Sequence, residues 1–148
     1  MPTKIRPLAQ GDRAIWEQMF QSYAEFYKTN LPEGGFDAVW GWIFDLENDF
    51  WCAVAENADG NVIGFTQYQL MHRSLGGGMT CYLSDLYTAP NLRGGGVGRA
   101  LIDYVRDFAK ARSLPNVRWL TQEFNYPARS LYDTYSPKSD FILYNVPV

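Results

Sequence analysis

The stretch Arg93-Gly94-Gly95-Gly96-Val97-Gly98 lies between a strand-like run (residues 82–88) and an amphipathic, helix-like run (residues 97–111). Four glycines in five positions let the chain turn sharply and leave no Cβ to hold a ligand away from the backbone. At a helix start, the amide N–H groups of such a loop converge on the positive end of the helix dipole. Backbone nests of this kind bind anions, phosphates above all. A strand, a tight loop and a helix also make the first half of a β-α-β unit, so this stretch bears on the fold as well as on the ligand.

Working outward, residues 5–8 begin as a strand, and Asp12 is placed to cap a helix reaching about Lys28, with Ile15, Met19, Tyr23 and Phe26 on one face. A loop containing Pro32 leads to a second helix over residues 36–46. Residues 50–56 and 61–70 read as strands joined by Asn57-Ala58-Asp59-Gly60, a hairpin turn. Gly76-Gly77-Gly78 breaks the chain before a strand over residues 79–88. The helix after the glycine loop carries Val97, Leu101, Tyr104, Val105 and Phe108 at helical spacing. A strand at 117–122, a short helix at 127–135 and a last strand at 141–146 complete the order β-α-α-β-β-β-α-β-α-β. Hairpins followed by a β-α-β unit imply one α/β (α+β) domain over residues 1–148, with a mixed, mostly antiparallel sheet and helices on both faces.

A chain of 148 residues with 47% apolar residues has enough material for one core, and 16% aromatics points to a crowded core or a lined cleft. The formal charge of −3 argues against a nucleic-acid partner, which calls for a basic patch. No long apolar span or signal peptide is evident, so no membrane partner is expected and the expected location is the cytoplasm. Cys52 and Cys81 both fall in strand-like runs and read as buried free thiols. His72 is the only histidine; without partners for a triad or a metal, it reads as a packing or hydrogen-bonding residue at a strand end, and no metal is expected.

Two phosphate-loop patterns fail. The dinucleotide fingerprint needs Gly or Ala three positions after its second glycine, where this chain has Arg99 or Leu101. The nucleotide P-loop needs Gly-Lys-Ser/Thr, and this chain has Gly98-Arg99-Ala100. Arg93-x-x-Gly96-x-Gly98, preceded by Ala89-Pro90 and followed by Leu101, resembles instead the acetyl-CoA signature of the GNAT (GCN5-related) N-acetyltransferases. A second segment, Asn125-x-x-Ala128-x-x-Leu131-Tyr132, resembles that family's Asn-x-x-Ala-x-x-Leu-Tyr. Tyr82-Leu83-Ser84-Asp85-Leu86-Tyr87 with Glu123-Phe124-Asn125 looks most like the spermidine/spermine and the yeast histone/polyamine acetyltransferase groups.

The resemblance implies that acetyl-CoA binds with its pyrophosphate on the amides of Arg93, Gly94, Gly95, Gly96, Val97, Gly98 and Arg99, with Asn125 also on the cofactor side. It implies a splay between two central parallel strands, where the pantetheine arm pairs with the edge at Leu86, Tyr87 and Thr88 like an added strand. The reaction is direct attack of a primary amine, such as a polyamine, on the thioester. Tyr132 takes the family's general-acid position near the sulfur. The base stays open: Ser84 stands where the polyamine enzymes have glutamate, and the candidates are a water relay including Ser84, Glu123 or Asp85 acting directly, or no dedicated base. Strand alternation aims Asp85 away from Ser84 unless a bulge intervenes. Asp85 also counts with Tyr27 and Trp40 as a candidate acceptor contact, since aromatic faces and carboxylates suit an ammonium ion. A homodimer is expected. The alternatives are acetylation of protein lysines or N-terminal amines, and a coenzyme A-binding module without chemistry.

Overall fold

The computed structural model describes residues 3–148. Strands β1 (Lys4–Pro7), β2 (Phe50–Glu56), β3 (Val62–Arg73), β4 (Gly78–Thr88) and β5 (Val117–Arg118) form one sheet in the order β1-β2-β3-β4-β5. All neighbours are antiparallel except β4 and β5, which run parallel. Helices α1 (Arg13–Phe26), α2 (Gly35–Phe44), α3 (Val97–Ala111) and α4 (Tyr126–Tyr132) complete the fold.

Two cores lie on opposite faces of the sheet. On one face Trp16, Met19 and Phe20 of α1 and Val39 of α2 bury against Phe50, Val54, Phe65 and Tyr87. On the other, Ile102, Val105 and Ala109 of α3 bury against Ala53, Tyr68, Cys81 and Leu83. The helical spacing of the α3 residues puts them on one stripe. Cys52 and Cys81 are buried free thiols, as expected. Asp12 sits at the start of α1, but its carboxylate caps no helical N–H. It accepts from Arg6 Nη1 at 2.8 Å and from the Ala9 N–H at 2.8 Å, and Arg6 also reaches Glu56 at 2.7 Å. The arginine outcompetes the cap because it brings a full opposite charge and ties β1 to β2.

The parallel pair is short. β4 and β5 are in register only at Cys81↔Val117 and Tyr82↔Arg118, so residues 83–88 of β4 have no β5 partner. The strand expected over 117–122 therefore ends early, and the expected splay is its consequence. The strand expected over 141–146 is absent. Residues 133–148 carry no strand or helix, and Phe141, Ile142, Leu143, Tyr144 and Val146 are 72–81% exposed. An apolar β-like sequence needs a neighbouring edge to bond its main chain, and this one pairs with none among the described residues. His72 is exposed rather than packed.

One close approach holds β3, β4 and α3 together. A Cβ on Gly64 would sit 2.6 Å from the Tyr87 carbonyl oxygen and 3.3 Å from Val97 Cγ1. Gly64→Ala is expected to destabilise the fold by about 1–3 kcal/mol through overpacking. That corresponds to a Tm drop on the order of 5 °C in thermal denaturation; an unchanged Tm would show that the strands slide apart freely.

Candidate active site

The open edge of β4, the glycine loop and α4 meet around a cleft of about 600 Å³. Leu86, Tyr87 and Thr88 line it from the strand, and Gly94, Gly96, Val97, Gly98 and Arg99 from the loop and helix start. Ala128, Leu131 and Tyr132 line it from α4, with Asn125 at the N-cap of that helix. The two motifs, about thirty residues apart in the chain, thus face each other. Gly95 is exposed and outside this lining.

Three of the four glycines answer a backbone requirement. Gly94 and Gly96 have φ of 88° and 86°, the left-handed region closed to most side chains. Gly96 is the N-cap of α3, and no side chain caps the helix, so its first amides are open to an anion. A Cβ on Gly98 would stand 3.2 Å from Leu131 Cδ2, so this glycine lets α3 and α4 close on one another. Arg93 donates from Nε to the Thr88 carbonyl at 3.3 Å, with its guanidinium 5.7 Å from the Phe26 ring centroid. Arg99 bonds Thr134 Oγ1 at 2.8 Å and lies 5.1 Å from the Tyr135 ring centroid. A strand edge with free main-chain groups, leading to glycine amides and two arginines, fits an elongated molecule ending in phosphates.

A second groove, about 680 Å³, opens on the α1–α2 side. Tyr23 and Tyr27 line both spaces and form the wall between them. Ser84 lines this groove, where its Oγ accepts from Gln69 Nε2 at 3.0 Å. The sheet is irregular here: Gln67 pairs with Asp85 and Tyr68 with Leu83, leaving Ser84 as an extra residue in β4. This β-bulge corrects the expectation from simple alternation, because it turns Asp85 to the same face as Ser84. Asp85 Oδ2 accepts from Gln67 Nε2 at 2.7 Å, and Gln67 Oε1 accepts from Trp16 Nε1 at 3.0 Å, which ties Asp85 into the α1 core.

Burial raises the Asp85 carboxyl above its ordinary value, partly offset by Gln67 and the Tyr23 hydroxyl. Burial and Asp85 push Tyr23 far up, so it stays protonated. Tyr132 is pushed up to about 12 by burial, with a further contribution from Tyr27. It packs edge-on to Trp119 at 5.4 Å between ring centroids. A phenol held protonated in this way is a proton donor at neutral pH.

Two candidates stand apart from both spaces. Glu123 is exposed, and its carbonyl accepts from Arg129 Nη1 at 2.5 Å. Trp40 packs against Trp16 at 5.1 Å and Phe44 at 4.7 Å between ring centroids, within the α1–α2 core. Sequence reading passed over Gln67, although a glutamine within an apolar strand was a signal of a buried polar partner. Tyr23 and Tyr27, four residues apart, share one face of α1 and its C-terminal turn, as their spacing dictates. Among the described residues, no group of three His, Cys, Asp or Glu side chains could hold a metal ion.

The model of the acetyltransferase (GNAT) family matches residues 16–135. The chain belongs to this family. It is similar to the D-amino-acid N-acetyltransferase of Saccharomyces cerevisiae, 30% identical over 95% of this chain and 88% of that protein. It is also similar to the thialysine N-epsilon-acetyltransferase of Mus musculus, 28% identical over 88% of this chain and 81% of that one. Its fold matches AAC(6')-Iy, solved with the bisubstrate analogue CoA-S-monomethyl-acetylneamine, at a TM-score of 0.83 and 18% identity, with both chains fully covered. As a GNAT member the protein is an acetyl-CoA-dependent N-acetyltransferase.

A carboxylate raised by burial costs stability while charged, and this cost fades as pH falls from the folded pKa toward the ordinary value of 3.8. Asp85→Asn is therefore expected to raise Tm at pH 7, and its lead over the native protein should shrink as pH is lowered toward 4. Parallel calorimetric scans measure that gap; a gap independent of pH would show that Asp85 is not the buried charge.

Proposed function

We propose that the protein transfers the acetyl group of acetyl-CoA directly to the primary amine of a small molecule. The observation that carries this reading is the pair of spaces meeting at the Tyr23–Tyr27 wall, one built for a phosphate-bearing chain and the other beside it. The named acceptors of two relatives, D-amino acids and thialysine, are small amines, which supports a small molecule over a protein.

The amides from Arg93 to Arg99 hold the diphosphate, with Arg93 and Arg99 adding charge, and Leu86, Tyr87 and Thr88 hold the arm along the open edge. Asn125 shapes the far wall, its Nδ2 donating to Thr121 Oγ1 at 3.3 Å. Bound acetyl-CoA supplies the activated acyl group, and the protein supplies placement and proton transfer. Tyr132 protonates the departing sulfur. The proton of the amine leaves toward the bulge, where Ser84 and Asp85 share a face and Tyr23 stands between Asp85 and both spaces. Asp85 acts there through Tyr23, and Glu123, outside both linings, is the weaker candidate.

A homodimer in the cytoplasm is part of the same proposal. Among the described residues no helix is long and apolar enough to cross a membrane. The exposed apolar tail is the surface a second copy would cover. The paired changes Ile142→Asp and Tyr144→Asp are expected to halve the mass seen by light scattering; a monomeric native protein would remove the dimer from the proposal.

Saturating acetyl-CoA, at about one hundred times its Kd, stabilises a folded protein by about 2.7 kcal/mol. Here that is a Tm rise on the order of 5–10 °C. Tyr132→Phe is expected to keep this rise and to lower kcat on the order of 10²-fold. A native protein with no Tm rise would sink the cofactor assignment, and an unchanged kcat would remove Tyr132 from the acid role.

A further inference from the structure

The second groove has a chemical character of its own. Its floor is Phe20 and Val39, both buried, and Trp42, Leu120 and Leu143 stand at its mouth, 46%, 58% and 72% exposed. Its polar groups are hydroxyls and an amide, among them Tyr82, Ser84 and Gln122. No charged side chain stands among the described residues that line it. Glu33, in the neighbouring loop, is exposed and outside the lining. Asp85 is outside the lining as well; its Oδ2 accepts from Gln67 Nε2 and its carboxyl bonds the Tyr23 hydroxyl.

Resting on the acetyltransferase reading, we propose that this groove is the acceptor site and that it selects a primary amine carrying one aryl or alkyl group, not a polyamine. A polycation lying here would bring ammonium groups away from water with no carboxylate in the lining to meet them, a cost that aromatic faces offset only in part. A phenyl or branched alkyl group gains by the same burial. The groove volume of about 680 Å³ is ample for such a molecule, and the shared wall of Tyr23 and Tyr27 brings its amine to the boundary of the cofactor cleft. The apolar group points toward Trp42 and Leu120, and the neutral amine toward Ser84. Bond making is the acetyl transfer already described: an N–C bond forms, the C–S bond breaks, the amine's proton goes to the protein, and Tyr132 gives one to the sulfur.

The test is thiol release by the purified full chain with acetyl-CoA and four acceptors: 2-phenylethylamine, isopentylamine, spermidine and a lysine peptide. The kcat/KM for 2-phenylethylamine is expected to exceed that for spermidine by roughly ten- to a hundredfold. Trp42→Ala should lower kcat/KM for 2-phenylethylamine by about tenfold while leaving the acetyl-CoA Tm rise intact. Leu120→Glu, a surface change that places a carboxylate at the mouth, should reverse the preference toward spermidine. Spermidine or peptide preferred by the native protein overturns the apolar assignment and leaves acetyl transfer standing. So does a Trp42→Ala variant with unchanged kcat/KM that still shows the Tm rise. Coenzyme A binding without thiol release for any amine overturns both readings.

Discussion

The parting of β4 from β5 after Tyr82↔Arg118 is the constraint on which the site depends. A sheet interior normally pairs every main-chain group, because an unpaired buried N–H or C=O is costly. Here six residues of β4 are left without a neighbour on one side, and three of them, Leu86, Tyr87 and Thr88, line the cleft shared with the glycine loop and α4. The vacated edge leaves main-chain groups of β4 without a strand partner, beside a cleft that α3 and α4 also line. A longer β5 would have sealed the edge and removed the site.

The glycine loop completes what the edge begins. Gly94 and Gly96 turn the chain through left-handed conformations, and Gly98 lets Leu131 approach the start of α3. These are two different demands met by one residue type. A motif of this kind is therefore a record of backbone geometry, and it reports the ligand only because the turn ends on an uncapped helix.

On the other side of the sheet, the bulge at Ser84 reorganises the chemistry. One extra residue sets Asp85 beside Ser84 and links it through Gln67 to Trp16. The carboxylate is drawn into a packed network, and the adjoining groove is lined by hydroxyls and aromatic rings with no charged side chain among the described residues. Aromatic residues in α1 and α2 serve two ends: Trp16 and Trp40 build the core, while Tyr23, Tyr27 and Trp42 line the open spaces.

Local pattern was enough for the helices, the first four strands, the glycine loop and the facing α4 motif, because periodicity and backbone requirements are written in neighbouring residues. The spacing at Arg93 to Arg99 and Asn125 to Tyr132 also singled out two segments that the fold brings to one cleft. What sequence alone left open was decided by partners distant in the chain. Trp40 fell to the core and Trp42 to the groove two positions away, according to what α2 packs against. Asp85 changed face because β3 pairs with β4 one residue out of step. Residues 141–146 have the composition of a strand and form none, because a strand exists only where another edge supplies its hydrogen bonds.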